Sequence, residues 1–159
     1  VYKRQIHTYF PLGNKFVLGV RGKAVVSSKG LLSNYTSTLI QAPAFTPTPH
    51  SKTIFNPAFR STQYLAAGVI PIWKILNNLQ FRNEFYVFAP FRQIYEGENM
   101  VPYYGKAFTK YHFMGESSLV LDLSFASISL YANYYDYPAR NWNFGINIGL
   151  LVFSPKFLE

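Results

Sequence analysis

Asn141-Trp142-Asn143-Phe144-Gly145-Ile146-Asn147-Ile148-Gly149-Leu150-Leu151-Val152-Phe153 places a large apolar side chain at every second position, from Trp142 to Val152. Successive side chains of a β-strand point to opposite faces, so this stretch predicts a strand with one wholly apolar face and one carrying Asn and Gly. Hydrocarbon on one side and a wet lumen on the other suit it, and it reads as a membrane-spanning β-strand. An edge strand of a soluble sandwich has the same alternation, so the rest of the chain must decide.

Aromatic residues make up 19% of the 159 residues and charged ones 14%, yet no stretch approaches the ~18 consecutive apolar residues of a transmembrane helix. Dispersed apolar residues are what a barrel wall requires, whereas helical membrane proteins mass theirs into runs. The lack of cysteine fits a reduced cytosol and an outer-membrane protein equally. A net charge of +8 raises nucleic acid as a partner, but the cations are scattered singly, no basic run of five occurs and no nucleic-acid module surrounds them. They are expected to line a lumen or face water and head groups, with no nucleic acid bound.

Seven strand-like segments follow one another, at residues 6–10, 15–28, 61–73, 79–91, 106–121, 125–135 and 141–153. Tight turns at Pro11–Asn14, Ile75–Asn78 and Asp122–Ser124 alternate with longer loops at 29–60, 92–105 and 136–140. Short periplasmic turns and long extracellular loops mark an outer-membrane barrel. The expected fold is therefore all-β, an antiparallel up-and-down transmembrane β-barrel of which this chain supplies about seven C-terminal strands.

Phe16, Leu18, Val20, Gly22 and Ala24 are expected to face lipid, as are Leu79, Phe81, Phe85, Val87 and Ala89; Asn83 interrupts that second row. Arg21, Lys23, Arg82, Glu84, His112 and Glu116 fall on the lumenal parity. Tyr134, Tyr135, Tyr137 and Trp142 gather where an aromatic girdle belongs. Seven strands do not close an ordinary bacterial barrel, so further strands are expected before Ile6. No signal peptide precedes the first strand, and Val1-Tyr2-Lys3-Arg4-Gln5 equals the translation of a transposon adapter of sequencing libraries, GTG TAT AAG AGA CAG. Residues 1–5 are thus expected to be a non-native leader, an ordinary strand start being the alternative, and residues 6–159 the C-terminal part of the barrel domain.

Catalytic signals are weak. Gly115-Glu116-Ser117-Ser118-Leu119 lacks the final glycine of a nucleophile elbow and lies in a strand. His7, His50 and His112 have no metal-ligand spacing, and no cofactor is expected. Arg60, at the end of the Pro-rich loop, and Glu84, on a lumenal strand position, are candidates for a structural latch, with Glu116 as the competing carboxylate; two independently solvated residues are the alternative. Asn143, Gly145, Ile148 and Leu150 have the polar-x-Gly-x-x-apolar-x-apolar spacing that resembles the C-terminal targeting signal of outer-membrane barrels.

These residues resemble the C-terminal part of the bacterial surface-antigen barrel, a sixteen-stranded domain shared by outer-membrane assembly factors and two-partner secretion transporters. The resemblance implies that residues 29–60 are the sixth extracellular loop, folded into the lumen, with Phe59-Arg60-Ser61 in place of a Val/Ile-Arg-Gly-Phe/Tyr motif; Ser61 departs from its glycine. It also implies Glu84, on the thirteenth strand, as partner of Arg60. More narrowly, Leu32–Tyr35, Gln41–Thr53, Ala67–Trp73 and Pro138–Gly145 look like the barrel end of patatin-like phospholipases from Bacteroidota.

That family implies a lipid acyl hydrolase domain upstream of the chain, an outer-membrane location, the lipid bilayer as partner and the barrel assembly machinery as partner during insertion. The alternatives are the barrel of an assembly or secretion factor, and a soluble β-sandwich or lipocalin-like binding module.

Overall fold

The computed structural model describes residues 1–136 and 141–150. Among these, nine strands run β1 (Tyr2–Pro11), β2 (Phe16–Val26), β3 (Gln63–Lys74), β4 (Leu79–Pro90), β5 (Arg92–Glu96), β6 (Pro102–Ala107), β7 (His112–Asp122), β8 (Ala126–Tyr135) and β9 (Trp142–Leu150). Seven of them form one antiparallel sheet in the order β1-β2-β3-β4-β7-β8-β9, the up-and-down order that the turn pattern predicts. β1 and β9 are its edges, and no closed barrel is formed among the described residues. β1 begins at Tyr2 and pairs from Tyr2↔Val26 to Pro11↔Val17, so the ladder extends through residues 2–5, ahead of the expected start at Ile6. Tyr137, Arg140 and the strand positions from Leu151 onward lie outside the described residues.

Alternation sorts the strands into two unlike faces. On the bare face Val20, Leu65, Val69, Trp73, Phe81, Phe85, Val87, Phe113, Leu130, Phe144, Ile146 and Ile148 are exposed. Asn83, the polar interruption of that face, is answered from the next strand: Ser117 is its register partner and donates Oγ–H to Asn83 Oδ1 at 2.6 Å. Two adjacent polar groups that satisfy each other cost much less on an apolar face than either alone.

The opposite face holds the core. Tyr64, Ala66, Ile70, Ile72, Tyr86, Phe88, Met114 and Tyr135 pack with Val25 and with Phe45 and Phe59 from the 29–60 connection. Three tyrosines on this face lie over glycines directly across the ladder: Tyr9 over Gly19, Tyr86 over Gly68 and Tyr131 over Gly145. A β-carbon at Gly68 or Gly145 would overlap the ring, so each glycine is the recess its tyrosine needs.

Two elements are absent from the sequence expectation. The 92–105 segment, expected as an open loop, pairs β5 with β6 in a separate hairpin. The 29–60 connection contains a helix, α1 (Tyr35–Gln41), whose N-cap Asn34 accepts from Ser37 N–H at 3.2 Å. Leu39 and Ala42 of this helical end and Ile94 of β5 form a second small core with Leu31, Tyr35 and Tyr104.

Candidate functional site

The site is the covered face of the sheet with the loop that lies on it. A loop laid over a sheet face must satisfy its buried backbone groups, and proline helps because it brings no N–H. Prolines 43, 47, 49 and 57 all present carbonyls that are used: they accept from Ser61 N–H, Arg21 Nη1–H, Lys52 N–H and Arg60 N–H. Thr48 and Ser51 exchange backbone-to-hydroxyl bonds at 3.0 and 3.1 Å, which folds the tip into a short 3-10 turn at His50–Lys52. At the neck an Ala44↔Arg60 bridge and the Phe45 N–H to Phe59 C=O bond at 2.9 Å close the loop on itself.

Sheet and loop are joined by named contacts. Phe45 sits among Tyr64, Tyr86 and Phe88 with ring centroids 5.7–6.1 Å away. Arg21 donates to the Pro47 carbonyl at 2.7 Å and Tyr64 to the Ala44 carbonyl at 3.1 Å. His50 Nδ1–H donates to Glu116 Oε1 at 2.8 Å, while its ring stacks on Tyr131 at 3.4 Å between centroids. A carboxylate only accepts, so the Nδ1 proton is required by the partner.

Glu84 and Glu116 are register partners on adjacent strands, both 4% exposed. Like charges directly opposite each other destabilise a sheet. Each carboxylate is met separately. Glu84 takes Arg82 Nε–H at 2.6 Å and the Tyr86 hydroxyl at 2.5 Å, both from its own strand; Glu116 takes His50, from the loop. Docking of the loop thus supplies the partner that Glu116 otherwise lacks.

The expected Arg60–Glu84 latch does not form. Arg60 Nη1–H donates to the Leu39 and Ala42 carbonyls at 3.0 and 3.5 Å, and the guanidinium lies 4.4 Å over the Phe55 ring. Desolvation lowers its pKa from the ordinary value, and among the described residues no carboxylate forms an ion pair with it to oppose the shift. Arg60 therefore ties the neck to the end of α1, and its planar fork serves carbonyls instead of a carboxylate. Glu116 does receive the loop, but through His50, whose sequence signal was only its place in a Pro-rich stretch. Ser117, weighed as a nucleophile, is the partner of Asn83 on the bare face.

Ser61, where the resemblance expects glycine, is fully buried and its Oγ lies 3.0 Å from both the Gln63 and Arg92 carbonyls, coupling the neck to β5. Ser61→Gly is expected to loosen the β5–β6 hairpin by about 1 kcal/mol, the usual net worth of one hydrogen bond. Faster hydrogen exchange at the β5 and β6 amides, with β3 unchanged, is the readout.

Comparison with protein-family models, with curated proteins and with solved structures returned no match. Asn143, Gly145, Ile148 and Leu150 all lie on β9, Ile148 and Leu150 exposed on the bare face and Gly145 beneath Tyr131. Among the described residues no group of three or more His, Cys, Asp or Glu is placed to hold a metal ion.

Proposed function

We propose that the chain is part of the wall of a bacterial outer-membrane β-barrel together with its inward-folded loop, with the bare face toward lipid and the covered face toward the lumen. The observation that carries this is the contrast between faces. A seven-stranded sheet leaves one face apolar and bare, and buries Glu84, Glu116 and Asn133 on the other. A soluble sandwich would set a second sheet on the apolar face, and among the described residues none packs there.

The dimensions support it. From His112 to Asp122 the chain rises about 33 Å along β7, or roughly 25 Å along the normal at a ~40° tilt, the height of an outer-membrane apolar band. Phe16, Trp73 and Phe81 form an aromatic row at the turn end, with Phe16–Trp73 centroids 5.1 Å apart. Tyr134, Trp142 and Phe144 form one at the loop end, with Tyr134–Trp142 centroids 5.2 Å apart. In the parent protein we place this wall in a sixteen-stranded barrel that anchors or exports a patatin-type lipid acyl hydrolase, whose catalytic residues are outside the chain. An assembly or secretion factor would use the same wall, and the upstream gene separates the two: a G-x-S-x-G nucleophile with an Asp-Gly pair belongs to the hydrolase.

The chain's only tryptophans are Trp73 and Trp142, one in each row. Single-tryptophan variants, Trp73→Phe and Trp142→Phe, in bilayers of lipids brominated at defined acyl positions are expected to be quenched most by shallow bromines. Fluorescence insensitive to acyl bromine in both variants would refute the lipid-facing orientation.

A further inference from the structure

Arg21 and Lys23 stand two residues apart on the covered face of β2, about 7 Å along one strand. Both are partly buried, and neither has a carboxylate within ion-pair distance among the described residues, where Arg82 and His50 hold the two buried glutamates. Arg21 spends one Nη–H on the Pro47 carbonyl and also bonds the Tyr86 hydroxyl, while its Nε is buried with no acceptor. The Lys23 ammonium lies 5.8 and 5.6 Å over the Phe45 and Tyr64 rings, which attract it without accepting a hydrogen bond.

Lys3 and Arg21 are near enough for their charges to act on Lys23, and His7 is the register partner of Arg21 on exposed β1. Like charges held together and partly dehydrated are costly without a counter-charge. The loop supplies rings and carbonyls here but no carboxylate.

We propose that Arg21 and Lys23, with His7 at the open side, form a binding site for a phosphate-type oxyanion beside the docked loop. A guanidinium offers a planar fork to two phosphate oxygens, and the ammonium adds a point charge on a third. Two sources share that chemistry, a free phosphate and the phosphate monoester of a lipid head group. The site lies on the covered face and does not depend on the bare face meeting lipid.

The test is phosphorus NMR on the full chain in detergent micelles, titrating inorganic phosphate and, separately, a soluble short-chain phosphatidic acid, at fixed chloride. Saturable line broadening is expected with at least one probe, and Lys23→Gln and Arg21→Gln should each weaken it about tenfold or more, as loss of a charge-assisted bond does. Tighter binding of the ester identifies a head-group site; equal or tighter binding of the inorganic ion identifies a free-phosphate site. Far-UV circular dichroism checks the fold of each variant, with His7→Gln as a further variant that leaves β2 intact. No saturable binding to the folded chain, or equal binding by the three variants and the parent, overturns the proposal.

Discussion

His50→Ala is expected to release the loop from the sheet while leaving the sheet folded, raising the rate of tryptic cleavage after exposed Lys52 roughly 100-fold. Among the described residues the substitution removes the only side chain bonded to Glu116, and it leaves that carboxylate buried opposite Glu84. Leaving a buried carboxylate without its hydrogen-bond partner costs about 3 kcal/mol, and each 1.4 kcal/mol is tenfold in the open population. Much of that cost belongs to the orphaned carboxylate, so His50→Ala with Glu116→Gln should recover most of the protection. A carboxamide has no charge to strand there. Glu84→Gln, which disturbs only the Arg82 and Tyr86 contacts, should leave cleavage after Lys52 unchanged. Were Glu84 the anchor of the loop, the pattern would be reversed, with Glu84→Gln opening the loop and His50→Ala silent.

The difference between these two patterns marks where the sequence was legible. Period-two alternation placed all seven strands of the main sheet in order, because a half-apolar strand has one way to face and a tight turn sets its neighbour. Glu116 and Glu84 were readable as inward carboxylates by the same parity. What parity does not contain is which loop residue reaches them. A loop's path depends on its own turns, here the Thr48–Ser51 exchange and the Ala44–Arg60 neck, and these turned His50 inward and spent Arg60 on carbonyls.

α1 escaped notice because Thr36, Ser37 and Thr38 are weak helix formers, although Asn34 was a valid cap signal. β5 and β6 escaped because each is short and Glu96-Gly97-Glu98-Asn99 between them reads as open loop. The pairing of Tyr131 with Gly145 was in principle visible, since both fall on the covered parity of adjacent strands, but only the register shows that they are directly opposite.

That pairing changes what a substitution at Gly145 reports. As part of a targeting signal, Gly145 and Ile148 are expected to behave alike: a charged residue at either lowers the amount of full-length protein in the outer membrane. The fold separates them. Ile148 is exposed on the bare face and touches no loop element among the described contacts, whereas Gly145 lies beneath the Tyr131 ring on which His50 stacks.

A β-carbon at Gly145 must push Tyr131 off the strand, and overpacking of this kind costs about 1–3 kcal/mol. Gly145→Ala should therefore loosen the loop, raising cleavage after Lys52 by about tenfold, in whatever fraction of the protein is inserted. Ile148→Asp should lower the inserted amount and leave cleavage of that fraction unchanged. Membrane fractionation followed by limited proteolysis reads both quantities from one preparation. Unchanged cleavage in Gly145→Ala would mean that Tyr131 yields without moving His50, leaving targeting as the role of the glycine; increased cleavage with normal membrane levels would make Gly145 a seat for the loop and remove it from the signal.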